Sequence, residues 1–107
     1  MIQAKFFHQK HGICAFSLSG HSEYAEQGAD IVCAAVSSIA QYVTEALEYC
    51  KIPLSSLAED GLITCSLGEV SEDELAHAQE FLVPMEAVLS DLEIQYGKYL
   101  KICKLEV

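Results

Sequence analysis

The sequence predicts an α+β fold: a two-layer sandwich in which a mixed sheet of about five strands carries two helices on one face, in the order ββαββαβ. Three observations point there. Short stretches near both ends and in the middle alternate apolar and polar residues, two long stretches between them repeat apolar residues every three or four positions, and glycine or proline punctuates the junctions. At 107 residues the chain is read as one domain, residues 1–107, long enough to fold around a single core without disulfides or a metal.

Residues Ile2 to His8 place Ile2, Ala4 and Phe6 on one side and Gln3, Lys5 and Phe7 on the other, a strand pattern that Gly12 turns into a hairpin. Alternation resumes from Ile13 to Ser19, with Cys14, Phe16 and Leu18 expected to face the core and Cys14 to act as a small buried hydrophobe. Asp30 is a good N-cap for a helix reaching to about Lys51, where Pro53 forbids extension. Its apolar stripe is Val32, Ala35, Val36, Ile39, Val43, Ala46, Leu47 and Cys50, with Cys33 on the border beside Ser37 and Thr44 on the same side.

Pro53 to Gly68 reads as a second hairpin, its turn at Asp60-Gly61 and its second strand at Leu62 to Leu67. Ser71 and Glu74 form a capping box for the next helix. That helix carries the stripe Leu75, Ala78, Leu82, Met85, Leu89, Leu92, Tyr96 and stops at Gly97, with a kink or break expected at Pro84 and His77 on the solvated face. Tyr99 to Val107 is a strand apolar on both faces at its start, a pattern expected inside a sheet rather than at its edge.

Composition narrows the function. Sixteen acidic residues against six basic give a net charge of −10, which leaves no basic stripe for a phosphate backbone and excludes direct nucleic-acid binding. The most apolar run, Ile31 to Val43, is broken by Ser37, Ser38, Gln41 and Tyr42, so no membrane contact is expected and the cytoplasm is the default location. Five cysteines, odd in number and widely spaced, read as reduced thiols. None stands at metal-ligand spacing from another cysteine or a histidine, so neither a metal nor another cofactor is expected.

Chemistry concentrates between Gly20 and Ser37. Cys33, counted from an Asp30 N-cap, stands at N3, where the positive end of the helix dipole favours a thiolate and free backbone N–H groups can serve as an oxyanion hole. His21, twelve positions earlier at a strand end, is the candidate base, because the loop between can bring the two side chains together. Ser37 and Asp30 are candidates for substrate contact. Ser37 alternatively bonds its own i−4 carbonyl, and Asp30 alternatively caps the helix or orients His21. Ser22, Glu23, Tyr24 and Gly28 belong to the loop, with Gly20 and Gly28 bracketing a segment suited to closing over substrate. On the residue pattern alone, a cysteine in an Ala/Val-rich helix is more often a buried packing residue than a nucleophile.

The run Gly20-His21, then Gly28, then Asp30-Ile31-Val32-Cys33-Ala34-Ala35-Val36-Ser37 closely resembles the signature of the ribosomal-processing cysteine proteases of Gram-positive and related bacteria. The resemblance extends over nearly the whole chain. It implies a cytoplasmic, homodimeric endopeptidase that removes a short N-terminal extension from the twenty-seventh protein of the large ribosomal subunit, with Cys33 as nucleophile, His21 as base and a mobile loop between them. Ser22 is a departure, since many members have alanine directly after the histidine. Two other readings compete: a non-catalytic ribosome-associated binding module in which Cys33 only packs, and a thiol redox switch, against which the lack of a nearby partner cysteine counts.

Overall fold

The computed structural model describes residues 1–20 and 27–107, with residues 27–29 described by their backbone alone. The elements are β1 (Ile2–Gln9), β2 (Gly12–Ser19), α1 (Gln27–Tyr49), β3 (Leu54–Glu59), β4 (Leu62–Leu67), α2 (Glu72–Tyr96) and β5 (Leu100–Glu106). The expected ββαββαβ order and α+β class hold. The strands form one sheet in the order β3-β4-β2-β1-β5, antiparallel except for the parallel pair β1–β5.

Alternation in β1 buries Ile2, Ala4 and Phe6, and Phe6 meets Phe16 of β2 with ring centroids 6.3 Å apart. In β2 the alternation changes phase. Phe7 pairs with Ala15 but His8 pairs with Ile13, so Cys14 is the extra residue of a β-bulge. The bulge turns Ile13 into the core and leaves Cys14 half-buried, its Sγ donating to the Phe7 carbonyl at 3.4 Å. Cys14 is therefore not the core residue that strict alternation predicts.

Helix α1 begins at Gln27, one turn earlier than an Asp30 cap implies. Asp30 is a helical residue of the first turn, where its carboxylate still faces the positive end of the dipole; the same residue type suits both positions. Gly28 likewise belongs to the helix backbone and not to the preceding loop. The buried stripe is Val32, Val36, Ala40, Val43 and Leu47, with Ala35, Ile39 and Ala46 only half-buried at its margins. Cys50, expected at the centre of the stripe, lies just past the helix end and is half-buried. There the Lys51 amide bonds the Glu48 carbonyl and the Ile52 amide the Leu47 carbonyl, a Schellman closure with Lys51 at φ 60°.

The capping box of α2 is present in both directions: the Glu74 amide donates to Ser71 Oγ at 3.1 Å and the Ser71 amide to Glu74 Oε1 at 2.9 Å. The helix runs unbroken through Pro84, which lies on its exposed side, and buries Ala78, Leu82, Met85 and Leu89. Strand β5 lies at a sheet edge, contrary to its apolar pattern. Its apolar start packs instead under the end of α2: Leu100 is fully buried, and Glu93 accepts the Ile102 amide at 2.7 Å, occupying one group of the open edge. Further along, Lys104 and His8 both reach Glu86 of α2, at 3.7 and 2.6 Å. No helix among the described residues is long and apolar enough to cross a membrane.

Candidate active site

A cleft of about 330 Å³ opens between the first half of α1, the end of β2 and the turn of the β3–β4 hairpin. Cys33, Ser37 and Gln41 line it from the helix, where spacings of four residues keep them on one side, next to the buried stripe. Facing them are Glu59, Asp60 and Gly61 of the hairpin turn. Cys33 is half-buried and is the one cysteine among the described lining residues.

Gly20 brings the end of β2 to the same cleft. Its φ of +97° is a left-handed conformation, and a Cβ there would stand 2.3 Å from the Met1 carbonyl oxygen, so the position requires glycine. The Gly20 amide donates to the Gly61 carbonyl at 3.0 Å, tying the strand end to the hairpin turn. His21, Ser22, Glu23 and Tyr24 lie outside the described residues.

The longer helix changes the chemistry expected of its start. Cys33 falls in the second turn, where the i→i−4 pattern gives its amide the Ala29 carbonyl as partner, so it is not one of the free N–H groups of the helix start. Asp30 is exposed and absent from the described lining of the cleft. Ser37, by contrast, lines it. Thr44 bonds its own i−4 carbonyl, that of Ala40, at 2.9 Å, whereas the Ser37 hydroxyl has no partner among the described residues and is available to a bound chain.

The Cys65 thiol differs in setting, being the one buried thiol among the described residues. Burial pushes the Cys65 thiol up from its ordinary value, a contact with Thr44 partly offsets this, and the Glu48 carboxylate adds to it. That is the setting of a packing residue. The described lining of the cleft holds no lysine, arginine or histidine. Gln41 and the acidic turn Glu59-Asp60 escaped the sequence reading. The helical recurrence of Cys33, Ser37 and Gln41 was the available signal for the first, while nothing local marks a hairpin turn as the wall of a cleft made by a distant helix.

A family model described as cysteine protease Prp matches residues 1–101. No curated protein matches the sequence. Among solved structures, the SMU.848 protein of Streptococcus mutans is 24% identical with a TM-score of 0.88, and the alignment covers 100% of this chain and 99% of that one. The ribosomal processing protease Prp of S. aureus in complex with a substrate peptide is 21% identical with a TM-score of 0.84, covering 97% and 99%. The same protease with a covalently linked product peptide gives 23% and 0.80 over the same shares.

Proposed function

From the premise that the chain belongs to the Prp family and is a cysteine protease, we propose that Cys33 is its nucleophile and His21 its base within one catalytic domain. The observation that carries this assignment is that Cys33 and Gly20, the residue directly before His21 in the chain, line the same cleft. His21 takes the proton from Cys33 Sγ and the thiolate attacks the scissile carbonyl carbon. In this reading the Ser37 hydroxyl, one turn on and lining the same cleft, donates to the resulting oxyanion in place of the amides of the helix start. Collapse breaks the C–N bond, and His21 returns its proton to the departing amine. Water then attacks the thioester, releasing the acid fragment and regenerating the thiol.

The substrate is the N-terminal extension of the twenty-seventh protein of the large ribosomal subunit. Support comes from the signature of the family and from the S. aureus relative, a ribosomal processing protease whose structures include a substrate peptide and a covalently linked product. In this reading Ser22, Glu23 and Tyr24 contact the bound chain, the enzyme is a cytoplasmic homodimer, and no cofactor takes part. Asp30, exposed and outside the described lining of the cleft, is assigned no substrate contact in this reading.

Replacing Cys33 by Ala should abolish cleavage of a peptide spanning the extension without moving the thermal midpoint. Full activity in that variant overturns the assignment. Iodoacetamide applied below neutral pH should modify Cys33 ahead of Cys14 and Cys50, whereas uniform slow labelling favours a non-catalytic module.

A further inference from the structure

The cleft that holds Cys33 has a neighbour beyond Gln41. A second compartment of about 360 Å³ lies next to it along α1, with Gln41, Ala58 and Ile63 lining both, and reaches Glu45 and Glu48. The trough exists because the residues facing the helix from β3 are short. Ser56 and Ala58 are paired with Cys65 and Ile63, which gives them the helix-facing positions of the sheet edge, and neither is large enough to close the gap.

Along α1 the residues Cys33, Ser37, Gln41, Thr44 and Glu48 recur at helical spacing and make one line down the wall. The fifteen residue steps from Cys33 to Glu48 correspond to about 22 Å of helix, the reach of about seven residues of extended chain. The opposite wall, β3, pairs with β4 alone among the described residues, which leaves its second backbone edge without a strand partner among them. A polypeptide leaving Cys33 in extended form along α1 would pass from the first compartment over Gln41 to the second.

Charge identifies what the path suits. Glu59 and Asp60 stand at the near compartment and Glu45 and Glu48 at the far one, and the described lining of both compartments holds no lysine or arginine. None of these four acids has an ion-pair partner among the described residues.

We propose that the trough is an extended-chain subsite that takes a lysine- or arginine-bearing stretch of the substrate about five to seven residues from the scissile bond, selected by Glu45 and Glu48. Its place beside the cleft, along the same helix wall, makes the substrate chain itself the occupant, and its charge makes that stretch basic. The proposal rests on the assignment of Cys33 as nucleophile. Because both acids are exposed, their effect is modest, about three- to tenfold in affinity for the pair.

The test uses the Cys33→Ala protein and fluorescent peptides that share the scissile segment of the ribosomal extension but carry a tail of alternating lysine and glycine or of serine and glycine, placed in turn before and after the scissile bond. Anisotropy should show the lysine tail binding about three- to tenfold more tightly in one placement. That preference should vanish in Glu45→Gln/Glu48→Gln and in about 0.5 M salt, and persist in the control Asp91→Asn/Glu106→Gln. Equal affinity for both tails in both placements, no binding of any peptide, a preference that survives Glu45→Gln/Glu48→Gln, or one that the control removes equally overturns the proposal. Failure of the wild-type protein to cleave these peptides counts against the nucleophile assignment and leaves the binding comparison to decide the subsite.

Discussion

Gln79 and Ile13 hold each other by two hydrogen bonds: the Ile13 amide donates to Gln79 Oε1 at 2.8 Å, and Gln79 Nε2 donates to the Ile13 carbonyl at 2.9 Å. Strand β4 pairs with β2 only from Ala15 to Ser19, so at Ile13 a helix side chain does what a neighbouring strand does further along. Gly12 completes the arrangement. Its φ is +147°, and a Cβ there would stand 2.5 Å from the Gln79 amide carbon.

Gln79→Ala should cost about 1–3 kcal/mol in urea unfolding, because it leaves two half-buried backbone groups without partners. Gly12→Ala should cost a similar amount, partly from φ and partly from the collision with Gln79. The double variant should therefore cost less than the sum of the two, by about 0.5–1 kcal/mol. Strict additivity would show that the two positions do not interact.

How much of this was legible beforehand varies with the range of the deciding interaction. Both hairpins, both helices and the Ser71–Glu74 capping box rest on local pattern and appear where they were read, except that α1 starts one turn before Asp30 and α2 runs unbroken through Pro84. The bulge at Cys14 does not, because a single extra residue in a strand leaves no mark in an alternation that is apolar on both sides of it. The edge position of β5 was hidden for a related reason: its apolar start is covered by the end of α2 and by Glu93, and only the tertiary fold brings them there. In the candidate site, the helix residues Cys33 and Ser37 were readable from spacing. The opposite wall at Glu59-Asp60 was not, because it comes from a separate hairpin.

Lys51 closes helix α1 in a left-handed conformation at φ 60°, which a side chain adopts at a cost of about 1 kcal/mol. Lys51→Gly should remove that strain while keeping the bonds from residues 51 and 52 to Glu48 and Leu47. Allowing for the greater freedom glycine gives the unfolded chain, the net gain should be about 0.5 kcal/mol, or a rise of about 2–4 °C in the thermal midpoint. A lowered midpoint would show that the lysine side chain contributes more than its backbone strain costs.

Cys65 sets an alkaline limit on stability. Its thiol, 2% exposed, is raised by burial above its ordinary value of 9.0, so above that pH the unfolded chain gives up a proton that the folded one retains. The folded state then binds more protons, and stability must fall as pH rises past about 9. Unfolding midpoints measured from pH 7 to pH 11 should decline less steeply for Cys65→Val than for the wild type. Parallel curves would remove Cys65 from the account. The same burial predicts that Cys65 is the slowest of the described thiols to react with a maleimide in the folded protein.

Gly20 joins fold to site, so its replacement should separate stability from activity. The Met1 carbonyl that a Gly20 side chain would strike belongs to a fixed stretch of backbone, since the next amide, Ile2, donates to the Tyr99 carbonyl at 2.8 Å and Ile2 is buried. The strain of Gly20→Ala must therefore fall on residue 20, on its bond to Gly61, and on the chain that continues into His21. The expected loss is about 1–3 kcal/mol of stability. Well below the lowered midpoint, kcat/KM on the extension peptide should still be down by about tenfold or more, because under the proposed assignment the change misplaces the base His21, and that costs rate even in a folded enzyme. Leu89→Ala provides the comparison: it empties a fully buried position on α2, outside the described lining of the cleft, and should be at least as destabilising, at about 2–5 kcal/mol, while keeping its activity at temperatures where it is folded. If the two variants lose activity only in proportion to their unfolded fraction, Gly20 positions nothing.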